Sequence, residues 1–228
     1  MHLLLCHNDR QHKMTIVSLN VGLPRTVVWH GKTVTTGIYK GPVEGRVRLR
    51  RLNLDGDAQA DLNVHGGEFK AAYCYPIEHY SWWREALGRT LPVGMFGENF
   101  TTSGLVEDAV HIGDRFMLGD AQVVVTQPRM PCYKLGIRFE SDDMVERFLA
   151  SGRSGFYLKV EREGDVGAGD AIEVVERDPQ HVSISDILRL YVKQQFEAGD
   201  TRTIERALRV DALPGGWKAH FRKRLATT

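Results

Sequence analysis

The chain has 228 residues, which is enough for one large domain or for one domain with a small appendage. Its content of 42% hydrophobic and 26% charged residues is ordinary for a globular protein and argues against a disordered chain. The formal net charge of +1 excludes a general electrostatic attraction to nucleic acid or to an anionic membrane, although a local basic site remains compatible with it.

Cysteine usage and the N-terminal residues predict a cytoplasmic protein. Cys6, Cys74 and Cys132 are odd in number and irregularly spaced, which argues against a disulfide framework. No apolar run reaches the roughly 18 residues that span a bilayer, and the apolar stretch near residue 4 is too short for a secretory signal. We predict a disordered extension over residues 1–14 (with Met14 as a candidate start), a β-barrel domain over 15–178 and a three-helix module over 179–228.

Short strands are predicted from the start of the β domain. Val27–Trp29 and Thr33–Tyr39 are β-branched and aromatic runs with turn residues between them. Arg46, Arg48 and Arg50 alternate with aliphatic residues, which places the three arginines on one face of a strand.

Later strands are predicted to pair as hairpins. Val110–Leu118 and Gln122–Thr126 flank a Gly-Asp turn, and Tyr157–Val160 and Ile172–Val175 are expected to pair around the glycine-rich connection Gly164–Asp170. Many short strands with glycine-rich turns favour a closed or nearly closed β-barrel.

Two helices are predicted to interrupt the strands. The first begins at Pro76 and has Tyr80, Trp83 and Leu87 on one stripe. The second lies near Asp142–Leu149, where apolar residues recur at helical spacing.

Three short amphipathic helices are predicted at the C-terminus. Ser183 resembles a helix start, Ile204 lies in a second apolar stripe, and Trp217, Phe221 and Leu225 follow each other at intervals of four. Helices this short are not stable alone, so we expect them to pack on the β domain or on a partner, and a homodimer is one option.

Common catalytic motifs are missing from the sequence. It contains no P-loop, EF-hand loop, G-x-S-x-G, H-E-x-x-H, C-x-x-C or G-x-G-x-x-G. Most hydrolase, zinc-protein and dinucleotide-binding functions therefore lack support.

The first remaining candidate segment is an acidic turn that ends in His65, Gly66 and Gly67. Consecutive glycines allow backbone N–H groups to approach an anion closely. The alternative is a hairpin with a surface histidine.

The second candidate segment runs from Gly94 to Thr102, with two glycines around an aromatic residue and then Glu98, Asn99 and Thr101. Short polar side chains of this kind can hold a polar ligand. The alternative is a turn capped by asparagine and threonine.

The third candidate segment, Thr126–Leu135, contains Cys132 as its chemical centre. Two prolines restrict the backbone around this cysteine, and Arg129 and Lys134 flank it. Nearby cations favour the thiolate, which is both a soft metal ligand and a nucleophile. A buried structural cysteine is the alternative.

These three segments, in this order, resemble the MOSC domain family, whose name refers to the C-terminal domain of molybdenum cofactor sulfurase. The shared patterns are V-H-G-G after an acidic turn, G-x-F-G-E-N, and P-R-x-P-C-Y-K-L, and the similarity runs from about Val21 to Val175. The tail from about Val182 to Leu225 resembles the three-helix module of a branch similar to bacterial N-hydroxylaminopurine-resistance proteins.

The resemblance implies a mainly β fold with a MOSC-type β-barrel and a molybdenum cofactor, molybdopterin, with Cys132 as a ligand of molybdenum. It implies the reduction of N-hydroxylated compounds such as hydroxylaminopurines to amines, which detoxifies N-hydroxylated bases. The family is also associated with pyridoxal phosphate binding.

The resemblance further implies which residues surround the cofactor. The pterin ends in a phosphate, so Lys40, Arg129 and Lys134 are candidate binders together with the amides of Gly66 and Gly67.

Other candidates have polar or proton-transferring roles. His65 is expected to contact the pterin or supply a proton, because imidazole titrates near neutrality. Asn99 and Thr101 are candidate anchors for polar cofactor atoms, and some of the arginine face at residues 46–50 is a further candidate.

The sequence departs from larger relatives of this kind in two ways. It has no iron–sulfur C-x₄-C-x₂-C segment, so we expect electrons from a separate reductase. It has no aminotransferase-like domain before the barrel, so we expect no sulfurase activity. Two alternatives stay open: a carrier of the cofactor or of sulfur without turnover, and a nucleophilic cysteine enzyme with an anionic substrate.

Overall fold

The computed structural model describes residues 13–60 and 66–226, so nearly all of the predicted N-terminal extension 1–14 lies outside the described residues. The strands in the described residues are β1 (Thr15–Val21), β2 (Arg25–Trp29), β3 (Lys32–Thr36), β4 (Gly41–Pro42), β5 (Arg46–Leu49), β6 (Ala72–Pro76), β7 (Phe100–Ser103), β8 (Arg115–Leu118), β9 (Ala121–Pro128), β10 (Phe156–Arg162), β11 (Gly164–Gly167) and β12 (Ile172–Glu176). The α-helices are α1 (Glu78–Leu87), α2 (Tyr133–Phe139), α3 (Met144–Ser151), α4 (Ile184–Val192), α5 (Ala198–Arg209) and α6 (Gly215–Leu225).

The mainly β architecture with a helical C-terminal module is confirmed. One large mixed sheet has the strand order β12-β8-β9-β10-β6-β7-β1-β4, in which β6 and β7 are parallel and the other neighbours antiparallel. Its two sides approach each other, because Thr15 in β1 forms an isolated bridge with Ala171 just before β12. Within the described residues the strands do not form a closed barrel, although backbone hydrogen bonds also join Met14 and Ile16 to residues 169–172 across this seam.

One predicted strand pairing is wrong. The hairpin of β8 and β9 forms as expected, but β10 pairs with β9 and β6, whereas β12 pairs with β8. The glycine-rich connection between β10 and β12 contains β11, which pairs with β5 from a distant part of the chain. This connection is therefore too structured to act as a tight turn between its flanking strands.

One helix boundary differs from the sequence prediction, and one additional helix is present. Pro76 ends β6, so α1 begins at Glu78, although Tyr80 and Trp83 are buried as expected. The second predicted helix is present as α3, but α2, which begins directly after Cys132, was not predicted. The helix was missed because its run of apolar residues is short and because the prolines before it gave no clear signal of a helix start.

The C-terminal helices pack on the sheet of the same chain. Ser183 begins α4 through a capping box, in which its hydroxyl accepts from the Asp186 N–H and the Asp186 carboxylate accepts from the Ser183 N–H. Ile187 from α4 and Phe221 from α6 join the same buried cluster as Val125 from β9. No helix in the described parts of the chain is long and apolar enough to cross a membrane.

A second buried cluster is aromatic and lies behind the candidate site. Tyr75 stacks on Phe96 with ring centroids 4.2 Å apart, and the Trp83 indole N–H donates to the Tyr75 hydroxyl over 2.6 Å. Phe148 from α3 stacks against both Tyr75 and Trp83. Offset aromatic contacts of this kind give a rigid support, so the residues in front of them are held in fixed positions.

Candidate functional site

Most of the predicted site residues meet at one cavity, which we call the first cavity. Its volume is about 610 Å³ including the part that opens to solvent. The sequence-predicted residues that line it are Lys40, Asn99, Arg129, Cys132 and Lys134.

Cys132 is held at the start of α2, in the loop that follows β9. Pro128 ends β9, and Cys132 has an extended backbone at the N-cap position, where its carbonyl accepts from the Leu135 N–H over 2.9 Å. Its side chain is partly exposed. A structural cysteine sealed in the core is therefore excluded for this position.

Lys40 forms a buried ion pair with Asp57 at the wall of the first cavity. The exposed fractions of the two side chains are only 8% and 2%. Burial lowers the pKa of Lys40 below its ordinary value, although the Asp57 carboxylate opposes this effect. Asp57 also accepts from the Gly22 N–H over 3.0 Å, so the pair is fixed to the backbone.

Asn99 lines the cavity, but its side chain forms its hydrogen bonds with other groups of the protein. Its amide N–H groups donate to Asp57 over 3.0 Å and to the Asn20 carbonyl over 3.3 Å. Its side-chain oxygen accepts from the Tyr73 N–H over 3.1 Å. Asn99 thus positions Asp57 and, through it, Lys40.

Thr101 does not line the first cavity, contrary to the expectation that it anchors a ligand. Its side chain is fully buried, and its hydroxyl donates to Glu98 over 2.9 Å and accepts from the Asn20 amide over 3.2 Å. The reason is that Thr101 lies in β7, behind the residues that form the cavity wall.

Glu98 is a fully buried carboxylate that organises the Gly94–Thr102 segment. It accepts from the N–H groups of Gly94 and Phe96 over 2.8 and 3.0 Å, and from the hydroxyls of Tyr80 and Thr101. Burial raises the pKa of Glu98 above its ordinary value, and these donors oppose the rise.

Glu98 predicts a specific pH dependence of stability. The folded chain holds the Glu98 proton to a higher pH than the unfolded chain, whose pKa is near 4.5. This group therefore favours folding below that value, and its contribution is lost as the pH rises towards the folded pKa. We expect Glu98→Gln to reduce the fall in unfolding free energy between about pH 5 and pH 8, measured by urea denaturation.

The matched control for this prediction is Glu85→Gln, since Glu85 is an exposed residue of α1. Its pH profile should follow that of the wild type. A Glu98→Gln profile that stays parallel to the wild type would contradict the assigned role of Glu98.

The first cavity is rich in cations. Arg129 is 7% exposed, donates to the Phe96 carbonyl and lies 4.8 Å from the Tyr73 ring centroid. Lys134 and Lys70 also line the cavity, and burial lowers the pKa of Lys70. Among the described lining residues, Asp57 is the one carboxylate. The cations therefore outnumber the anions, and the cavity favours an anionic ligand.

The arginine face at β5 does not join this site. Arg46 pairs with Asp170 over 2.8 Å, Arg48 with Asp165 over 3.6 Å, and Arg50 with Asp55 over 2.5 Å. All three arginines are exposed and engaged in these surface ion pairs. Their alternating pattern therefore reflects their position on the solvent-exposed face of this segment.

Gly66 and Gly67 lie at a neighbouring cavity, which we call the second cavity. Cys132, Lys70 and Tyr157 line both cavities and form the boundary between them. The remaining residue of that motif, His65, lies outside the described residues.

Sequence reasoning missed several residues of the first cavity. Asp57 lies in the acidic turn, but the sequence did not indicate its ion pair with Lys40, because Lys40 is 17 positions away. Tyr73 and Tyr157 come from adjacent strands β6 and β10, where they face each other in register and their ring centroids are 5.2 Å apart. Burial raises the pKa of both phenols, so they remain neutral hydrogen-bonding groups.

The site therefore combines a partly exposed thiol with a cationic cavity and two neutral phenols. A thiol in this setting can ligate a soft metal or attack an electrophile. The cations can hold an anionic group beside that sulfur.

Comparison with known proteins relates both parts of the chain to described families. The MOSC domain profile matches residues 61–173, and the profile of a YiiM-like, 3-alpha helix domain matches residues 182–228. YflK of Bacillus subtilis (strain 168) is 42% identical over 215 residues, which cover 94% of this chain and 96% of YflK.

A solved structure and a longer relative extend this comparison. The crystal structure of YiiM from Geobacillus stearothermophilus is similar with a TM-score of 0.77 and 36% identity, and the match covers 93% of this chain and 99% of that one. A protein named Reductase from Gibberella moniliformis (strain M3125 / FGSC 7600) is 34% identical over 165 residues, which are 70% of this chain but only 29% of that protein.

Proposed function

This chain belongs to the MOSC domain family, with a YiiM-like three-helix domain at its C-terminus, and from that membership we propose that it binds the molybdenum cofactor and reduces N-hydroxylated compounds to amines. The observation that carries the proposal is the Cys132 thiol at the boundary of two cavities, one of them cationic. A cationic cavity suits the anionic cofactor, and a thiolate suits its metal.

The residues of the first cavity fit this cofactor in chemical type. The Cys132 thiolate would hold the metal, and Lys40, Lys70, Arg129 and Lys134 would neutralise the phosphate and other anionic groups of the pterin. The bound cofactor would supply the two-electron redox chemistry that no side chain provides.

The protein's own contribution is to hold the cofactor in a cavity with fixed walls. The aromatic cluster behind Tyr73 fixes one wall of the cavity, and Asp57 and Asn99 fix Lys40. Such a prearranged site spends little free energy on reorganisation when its ligand binds.

The proposed reaction is balanced with an external reductant. A hydroxylamine accepts two electrons and two protons, its N–O bond breaks, and the products are an amine and water. A separate reductase is the proposed electron donor. The similarity to a protein named Reductase supports this class of reaction.

The test is a turnover assay on protein purified from cells that make the cofactor. With dithionite-reduced viologen as electron donor, we expect 6-hydroxylaminopurine to be converted to adenine at a rate that depends on the molybdenum content. Protein that contains molybdenum but reduces no N-hydroxylated compound would instead support a cofactor carrier. A covalent adduct on Cys132 in molybdenum-free protein would support a nucleophilic cysteine enzyme.

A further inference from the structure

The C-terminal three-helix module is basic, although the whole chain is nearly neutral. Residues 182–228 contain nine lysine and arginine residues against five aspartate and glutamate residues, which gives the module a net charge of +4. Since the whole chain carries +1, residues 1–181 carry a net charge of −3. An asymmetry of this kind affects association with charged partners rather than the fold.

Three arginines form a stripe on the outer face of α5, which we call the arginine stripe. Arg202, Arg206 and Arg209 follow each other at intervals of four and three residues, so they share one helix face over about 10 Å. All described residues that line this part of the surface belong to α5, and Glu205 is the one carboxylate among them. The stripe is therefore an open, positively charged helix face.

The charge of the stripe is not neutralised within the described parts of the chain. None of its arginines forms an ion pair there, whereas Arg189 and Lys193 both pair with Asp200 over 2.6 Å. Arg202 and Arg209 are exposed, and the half-buried Arg206 donates to a backbone carbonyl over 3.0 Å. The stripe can therefore attract negative groups of another molecule.

The helix that carries the stripe packs beside the proposed redox site. Ile204 and Ala207 on the inner face of α5 belong to the same buried cluster as Trp217 and Phe221 of α6. Trp217 also lines the second cavity, which includes Cys132. A protein bound at the stripe would therefore rest on a helix that packs directly against the wall of this cavity.

We propose that the arginine stripe is the docking surface for the electron donor, and that this donor is a small electron-transfer protein with an acidic face. This inference rests on the proposed function and assigns its partner. Complexes of electron-transfer proteins are small and transient, and complementary charge steers their association. Two reduced one-electron donors, docking in turn, would supply the two electrons that one hydroxylamine accepts.

The composition of the stripe favours a protein over a nucleic acid. Its cations are all arginines, which are enriched at protein interfaces, whereas lysines are depleted there. Glu205 on the same face would repel a continuous phosphate backbone but could lie beside a protein surface of mixed charge. The net charge of −3 over residues 1–181 would likewise repel a long polyanion.

The test uses an acidic flavodoxin as the probe and the double variant Arg202→Gln/Arg209→Gln. This variant removes the two exposed charges and keeps Arg206. We expect the Kd for flavodoxin, measured by calorimetry at low ionic strength, to rise by about tenfold or more. The difference from the wild type should shrink in about 0.5 M salt, because salt screens exposed charges.

Turnover provides a second readout of the same variant. With NADPH, flavodoxin reductase and flavodoxin as the electron source, kcat/KM for flavodoxin should fall about as much as the affinity. With dithionite-reduced viologen, the rate of 6-hydroxylaminopurine reduction should equal that of the wild type. Viologen is a small cation, so the arginine stripe does not attract it.

The matched control is the double variant Lys32→Gln/Arg84→Gln. Lys32 in β3 and Arg84 in α1 are exposed residues of the β domain, and neither forms an ion pair in the described residues. This variant loses the same net charge, so it should match the wild type if the position of the charges matters.

The outcomes separate this inference from the proposed function. Wild-type flavodoxin affinity in Arg202→Gln/Arg209→Gln, an equal loss in the control, a loss of viologen-driven turnover, or tighter binding of a DNA oligonucleotide than of flavodoxin would each overturn the docking surface. If the wild type reduces the substrate with viologen but does not bind flavodoxin, the inference fails and the function stands. If the wild type is inactive with viologen, the function fails, and a loss of flavodoxin binding confined to the stripe variant would still support a surface for acidic proteins.

Discussion

Replacing Cys132 with alanine is expected to lower the rate of hydroxylamine reduction by about a thousandfold or more. The thiol is the only sulfur ligand that the described residues bring to the first cavity, and alanine leaves the metal without its protein ligand. The loss should appear mainly in kcat rather than in KM, because the reduction step depends on the metal that this thiolate is proposed to hold. Steady-state kinetics with 6-hydroxylaminopurine measures both parameters.

Cys74→Ala is the matched control for this variant. Cys74 is buried in β6 and lines neither cavity. Burial raises the pKa of its thiol well above the ordinary value, so it is not a thiolate at neutral pH. Cys74→Ala should keep wild-type turnover despite a small loss of stability, and Cys132→Ala with comparable turnover would exclude the role assigned to Cys132.

Asp57→Ala is expected to destabilise the folded chain by about 3–5 kcal/mol, the largest stability effect that the site predicts. The substitution leaves the Lys40 ammonium buried without its partner and removes acceptors from Gly22 and Asn99. Urea denaturation at neutral pH measures the change in unfolding free energy.

The control for this effect is a double-mutant cycle with Lys40→Met. If the buried ion pair dominates, the double variant should be clearly more stable than the sum of the single effects predicts, because it contains no unpaired charge. A cost below about 1 kcal/mol for Asp57→Ala, as found for exposed ion pairs, would show that the pair is screened by solvent.

Local patterns predicted the elements whose residues interact with near neighbours. The apolar spacing of Trp217, Phe221 and Leu225 identified α6, and Ser183 identified the start of α4. Cys132 was found because the prolines and cations that distinguish it lie within a few residues of it. In each case the physical signal is contained in a single turn or segment.

Features that depend on distant pairing were not visible in the sequence. Nothing local indicates that β11 pairs with β5, or that Lys40 meets Asp57, because these contacts exist only after the sheet forms. The sequence shows that Thr101 has a hydroxyl group, but not whether this group lines the cavity. Its position behind the cavity wall follows from the register of β7. Sequence patterns therefore named the chemistry of the site better than the exact set of residues that line it.

The position of the C-terminal helices at the second cavity could likewise not be predicted from the sequence. Their amphipathic stripes predicted that they would pack on some surface, but the position of His220 and Trp217 beside Cys132 depends on tertiary packing. The hydrogen bond between Trp217 and Gln127 spans 90 positions in the chain.

The most direct measurement is the molybdenum content of the purified protein by elemental analysis, for the wild type, Cys132→Ala and Cys74→Ala made in the same cofactor-producing cells. Metal held at the Cys132 sulfur predicts near-equimolar molybdenum in the wild type and in Cys74→Ala, and a strong loss in Cys132→Ala. Wild-type protein without molybdenum, or equal amounts in all three proteins, would contradict it.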